Sequence, residues 1–227
     1  MVGVQVLLLF SILSISFAEI KLVSIYAVDM CSPCVTFADS SLQQLYNYVM
    51  DSTIPGSCNQ LCGIFGQNLT AQVCNYLCDA VGISSFVKIV KDCQLDPIYF
   101  CELLDVCPVV AGGSANITNT YVVPSSATQY STFNVQVLFQ VLKETGTGQV
   151  SLILTAPNKN VSKQSYLNEG FKPGAYSAKF QIVTDGMYPA GVYNGVLEVC
   201  TGTCGATLPN SAILSTGNIK FTVTPRP

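Results

Sequence analysis

The chain has no histidine and no tryptophan, and only 10% of its 227 residues are charged. Without imidazole there is no Ser-His or Cys-His catalytic pair, no histidine-zinc site and no switch that titrates near neutrality. Ten basic residues face thirteen acidic ones, a net charge of −3 with a sequence pI near 4.8. The basic footprint that nucleic-acid binding needs is therefore missing. There is no Gly-x-Ser-x-Gly elbow and no glycine-rich phosphate loop. The expectation is a protein that is not an enzyme and has no cofactor, no metal and no nucleic-acid partner. What is present is 49% hydrophobic residues and 11 cysteines. That is apolar surface enough to fold, in one or two domains.

The first residues read as an address. Val4 to Leu13 form an apolar run too short to span a bilayer, and Ser16-Phe17-Ala18 places small residues where a signal peptidase cuts. Residues 1–18 are expected to be a signal peptide, although they lack the usual basic start. No later stretch has the length and apolarity of a span, and Phe221 to Pro227 lacks the hydrophobic tail of a GPI signal. The mature chain is expected to be secreted, outside the cell or in an endolysosomal lumen. Three sequons fit that compartment, at Asn68, Asn116 and Asn160.

Nine cysteines lie between Cys31 and Cys107, a density that marks a small disulfide-stapled module. Apolar residues at i, i+3 and i+4 predict a helix from Cys31 to Met50. Pro55-Gly56 ends it, Ser57 caps a second helix through Phe65, and Thr70 caps a third to Ala80. Ile83 to Val90 forms a fourth. Asp96-Pro97 opens a fifth that reaches Cys107. Cys58 and Cys62 share one helix face, as do Cys74 and Cys78. In an antiparallel hairpin Cys62 meets Cys74 and Cys58 meets Cys78, at the α-carbon separations a disulfide accepts. Cys31 and Cys34 at the start, with Cys101 and Cys107 at the end, suit a clamp joining first and last helices. Zinc is the competing use of such a cluster, and secretion without histidine favours disulfides.

Cys31-Ser-Pro-Cys34, the central cysteine pair and Leu95-Asp-Pro-Ile-Tyr-Phe-Cys101 through Cys107-Pro108 resemble a saposin B-type domain over about residues 30–108. The resemblance implies bonds Cys31–Cys107, Cys34–Cys101 and Cys62–Cys74. Cys58–Cys78 is additional to that pattern. Cys93 is left over, as a buried free thiol or as a link to a homodimer partner. Taken with the β-rich second half, the architecture resembles the countin family of social amoebae. That resemblance implies an extracellular signal that limits aggregate size, acting on other secreted proteins or a cell-surface receptor.

After the linker 109–115 the period changes. Phe133 to Val141 alternate as in a half-buried strand, and Val150–Leu154, Ala178–Val183, Tyr193–Cys200 and Asn218–Val223 repeat the pattern. Residues 116–227 are expected to be an Ig-like all-β sandwich, making the whole a two-domain α + β protein with a saposin-like helical bundle first. Tyr176 is a candidate packing corner, and Cys200 and Cys204 are placed to close a small loop. Residues 30–108 carry a net −5 and residues 115–227 a net +3. An acidic helical module is repelled by anionic membranes until its carboxylates protonate near pH 4–5. The pairs Asp92/Asp96 and Glu102/Asp105 read as helix-end and surface charges rather than as acid and base. Lipid binding is the alternative function, through Val35, Leu42, Leu45, Val49, Ile83, Phe86, Val87 and Val90 as a lipid-facing stripe. The same stripe equally serves as the module's own core. An amoebapore-like cytolysin fits less well, given the acidic module and the appended β-domain.

Overall fold

A computed structural model describes residues 30–51 and 55–226. The expected signal peptide at 1–18 lies outside the described residues. Five helices come first: α1 (Cys31–Asp51), α2 (Cys58–Cys62) continued by a 3-10 turn (Gly63–Phe65), α3 (Leu69–Val81), α4 (Ile83–Asp92) and α5 (Pro97–Leu103). Eight strands follow: β1 (Ser114–Val123), β2 (Ser126–Thr128), β3 (Thr132–Lys143), β4 (Gly148–Thr155), β5 (Val161–Asn168), β6 (Gly174–Val183), β7 (Gly191–Thr201) and β8 (Ala212–Thr224). The chain is thus a two-domain α + β protein with a disulfide-bonded helical half.

The helix starts follow from side chains that bond the first free amides. Ser57 accepts from Gln60 N and Asp96 from Tyr99 N, as their positions in the sequence predict. The third cap differs from expectation: Asn68, not Thr70, accepts from Ala71 N. The fifth helix is also shorter than expected. Asp105 turns left-handed (φ 56°), and the amides of Val106 and Cys107 both fold back onto Cys101 O, so the chain wraps the helix end at Leu103.

Ten cysteines are paired: Cys31–Cys107, Cys34–Cys101, Cys58–Cys78, Cys62–Cys74 and Cys200–Cys204, with α-carbons 4.6–6.0 Å apart. The first two clamp α1 to α5, and the next two form successive rungs between α2 and α3. Cys93 is free, buried, and bonded through its thiol to Val90 O. A buried thiol in a closed core is no link to a partner chain.

Leu42, Leu45, Val49, Phe86, Val87 and Val90 are buried in the core that α1, α3, α4 and α5 enclose, while Val35 and Ile83 pack half-buried at its margin. The expected lipid-facing stripe is corrected accordingly. Six of its eight side chains face the core of the helical half, and only Val35 and Ile83 keep partial exposure. Among the described residues no single helix is long and apolar enough to cross a membrane; α3 and α4 qualify together only across a 108° bend.

The strands form two sheets, ordered β1-β3-β6 and β2-β8-β7-β4-β5. All pairs are antiparallel except β2 with β8. Phe133, Val135, Val137, Phe139 and Val141 of β3 meet Leu152, Leu197, Val199 and Phe221 of the other sheet in one core. The strands missed by periodicity, β1, β2 and β5, are edge strands with few buried positions, so they lack the alternation that a half-buried strand shows. β1 begins at Ser114 and Ala115 is already buried, which shortens the expected linker at its far end. The Tyr176 hydroxyl donates to Lys172 O while its ring stacks on Phe139, the packing corner expected of it. Tyr193 makes the equivalent bond to Pro189 O.

Candidate functional site

The two domains meet along a seam that has three parts. At the first, the linker lies against the turn joining β3 to β4. Thr147 N donates to Pro108 O at 2.8 Å, and the hydroxyl of Thr147 lies 3.6 Å from Cys31 Sγ. Thr145, Gly146, Thr147 and Gly148 are all buried, which is unusual for a turn. Gly146 explains the close fit: a Cβ there would sit 2.7 Å from Val110 N and 2.9 Å from Pro108 O. Only glycine lets the two backbones approach so closely.

At the second part, α1 receives its cap from the other domain. No acidic residue lies in its first turn, and Ser32 N donates to Glu169 Oε1 at 3.0 Å. The carboxylate thus sits where the helix dipole favours negative charge.

The third part is the loop closed by Cys200–Cys204. Thr203 donates its hydroxyl to Asp96 Oδ1 at 3.0 Å, the oxygen that also caps α5. Asn210 donates to Glu102 Oε2 at 3.2 Å. The loop is anchored on its own side by Cys204 N to Gln149 Oε1 and Lys163 Nζ to Cys204 O. The connection from β7 to β8, braced by that disulfide, therefore contacts both the α5 cap, Asp96, through Thr203 and Glu102 through Asn210.

Glu102 corrects an expectation. It is 6% exposed, not a surface charge, and its Oε1 has no hydrogen-bond partner among the described residues. Burial pushes its carboxyl above the ordinary range and nearby Asp96 adds to the push, while the Asn210 bond opposes it. Asp96 is half-buried and caps α5 as expected; Asp92 and Asp105 are exposed. Neither Thr145–Gly148 nor Glu102 lies in a motif that marks a function in the sequence. The available signal was the repeated Thr-Gly-Thr of 145–147 and 201–203.

Elsewhere, Asn68, Asn116 and Asn160 are all exposed. Glu198, Cys200 and Cys204 bring ligand-type atoms within 4.8 Å of one another, but the two sulfurs are bonded together and offer no thiolate in this form. A groove of about 380 Å³ runs between α1 and α3, lined by Pro33, Thr36, Phe37, Leu69 and Val73.

Fold and seam together define a class: a disulfide-stapled helical domain docked through polar contacts onto an all-β domain. The Countin N-terminal domain model matches residues 29–105 and the Countin C-terminal domain model matches residues 115–227. Three proteins of Dictyostelium discoideum are similar over most of the chain. Countin-1 is 32% identical across 87% of this chain and 78% of its own length. Countin-2 is 33% identical across 87% and 80%, and Countin-3 is 31% identical across 93% and 98%. The chain belongs to the countin family. Among solved structures, the Pseudomonas fluorescens alkylpurine DNA glycosylase AlkC overlays 82% of this chain on 46% of that one, at 12% identity. The TM-score of that overlay is 0.36.

Proposed function

We propose that this chain is a secreted, non-enzymatic countin-type factor that limits the size of cell groups by engaging other secreted proteins or a cell-surface receptor. The observation that carries the reading is the match of both countin domain models, in order, over residues 29–105 and 115–227. Five disulfides support an oxidising, extracellular setting. A saposin B-type helical half is supported by the clamp from α1 to α5 over the α2–α3 staple. An Ig-like second half is supported by the two-sheet order, the parallel pairing of β2 with β8, and the hydroxyl bond of Tyr193 at the start of β7. The test is to add the purified, disulfide-intact protein to aggregating social amoeba cells and count cells per group. Smaller groups with increasing dose are expected. Unchanged groups in the presence of folded protein would overturn the reading.

Lipid binding is the second reading, and the α1–α3 groove with exposed Leu69 at its edge favours it. Liposome co-sedimentation at pH 7 and about pH 4.5, where carboxylates protonate, checks it. Binding confined to acid is expected on this reading, and absence at both pH values sinks it.

A further inference from the structure

The outer face of the β1-β3-β6 sheet is uncovered and rich in amides. Asn116 lies opposite Gln140, Asn119 opposite Leu138 and Tyr121 opposite Gln136. These side chains turn away from the core, because Val137, Phe139 and Val141 between them are buried. Ala175 and Ser177 of β6 continue the first two rows. A hollow of about 300 Å³ opens there, beside Thr118, Leu138, Gln140, Ala175 and Ser177.

Asn116 and Thr118 are also the two ends of a sequon. The other sequon asparagines stand elsewhere: Asn68 at the start of α3, and Asn160 at the turn where its carbonyl accepts from Ala156 N. Asn116 alone of the three lies on a sheet face. Asn116 stands on the edge strand, and neighbouring strands are about 4.8 Å apart, so a glycan that turns inward from β1 lies over Gln140 and Leu138 of β3. The first two sugars of an N-glycan are N-acetylglucosamines. Their acetamido and hydroxyl groups match amide and hydroxyl side chains, and their apolar faces match Leu138 and the Tyr121 ring.

We propose that a glycan on Asn116 lies across this face, its first two sugars over Leu138 and Gln140, as a fixed layer of the β-domain. Attachment joins Asn116 Nδ2 to the anomeric carbon of a lipid-linked oligosaccharide; the lipid diphosphate leaves and the amide gives up a proton. The proposal rests on the secreted reading, since that donor belongs to the secretory pathway.

The test uses full-length protein secreted from a eukaryotic host. Peptide N-glycosidase is applied under native conditions, and release is followed site by site through peptide mass. Release from Asn116 is expected to be about tenfold slower than from Asn160, as for a glycan docked roughly nine-tenths of the time. The double variant Leu138→Ser/Gln140→Ala keeps the sequon and the buried face of β3, and it is expected to abolish the difference. Equal rates in the wild type, or slow release that the double variant leaves unchanged, would overturn the proposal. Occupied Asn68 or Asn160 with a bare Asn116 would overturn it and leave secretion standing. Three bare sites would overturn both.

Discussion

Glu102 is a carboxylate held under a loop with one oxygen bonded to Asn210 and the other without a hydrogen-bond partner among the described residues. Ionisation there is unfavourable, so its folded-state pKa lies above its unfolded one. For an acid the sign follows directly. Below the unfolded pKa both states are protonated and nothing is lost. As pH rises through the raised folded value the unfolded state sheds its proton more readily, and stability falls. Glu102→Gln removes the buried charge and keeps an acceptor for Asn210. It is expected to stabilise the protein at pH 7 by about 1 kcal/mol, an effect that fades near pH 4. Urea midpoints of both proteins at the two pH values check it; a variant no more stable than wild type at pH 7 contradicts it. Cys93 gives a second residue-scale expectation. Its thiol is fully buried, and burial raises its pKa, so it is a poor nucleophile. Iodoacetamide is expected to modify it only in denaturant, and labelling of the native protein counts against the closed core.

Among the elements, α3 separates two roles of one tripeptide. Asn68 caps the helix through Oδ1, while Thr70 makes no cap bond. Asn68→Ala and Thr70→Ala each remove the sequon, yet only the first removes the cap. In unglycosylated protein Asn68→Ala is expected to cost about 1 kcal/mol, with Thr70→Ala clearly milder. Thermal unfolding of the pair distinguishes them, and equal losses refute the assignment. The Cys200–Cys204 loop is a second element with a stated job. Replacing both cysteines by serine slackens the segment that carries Thr203 and Asn210 to α5. Amide exchange in α5 is expected to rise while the β3 core stays protected. Unchanged exchange in α5 would mean that the loop holds its place without the disulfide.

At the scale of the molecule, the two domains carry opposite net charges, yet no ion pair among the described residues crosses the seam. The one ion pair among the described residues, Lys172 with Glu144, lies within the β-domain. The seam instead relies on backbone approach and neutral or charge-assisted hydrogen bonds, so high salt is a weak lever on it. Gly146→Val drives a side chain into the backbone of Val109 and Val110. Each domain keeps its own core and disulfides, and the domains are expected to separate. Small-angle scattering is expected to show a larger radius of gyration with an unchanged far-ultraviolet spectrum. An unchanged radius would show that the seam tolerates the wedge.

The sequence by itself determined the division into a stapled helical half and a β half. Cysteine spacing, helical phase and strand alternation are local patterns that survive without knowledge of the partner surface. It also determined the Ser57 and Asp96 caps, where a short polar side chain precedes its own helix. Asn68 and Thr70 compete for the same helix start, and only the backbone geometry chose between them. The lipid-facing stripe and the core of the helical half share one pattern, because an amphipathic face states that it is covered and not by what. Tertiary structure decided that it covers itself. The seam was illegible for a related reason. Thr145–Gly148 belong to no strand or helix pattern and Glu102 reads as a surface charge, yet each is buried by residues distant in the chain. Burial of that kind belongs to the docking of two domains, which no local period encodes.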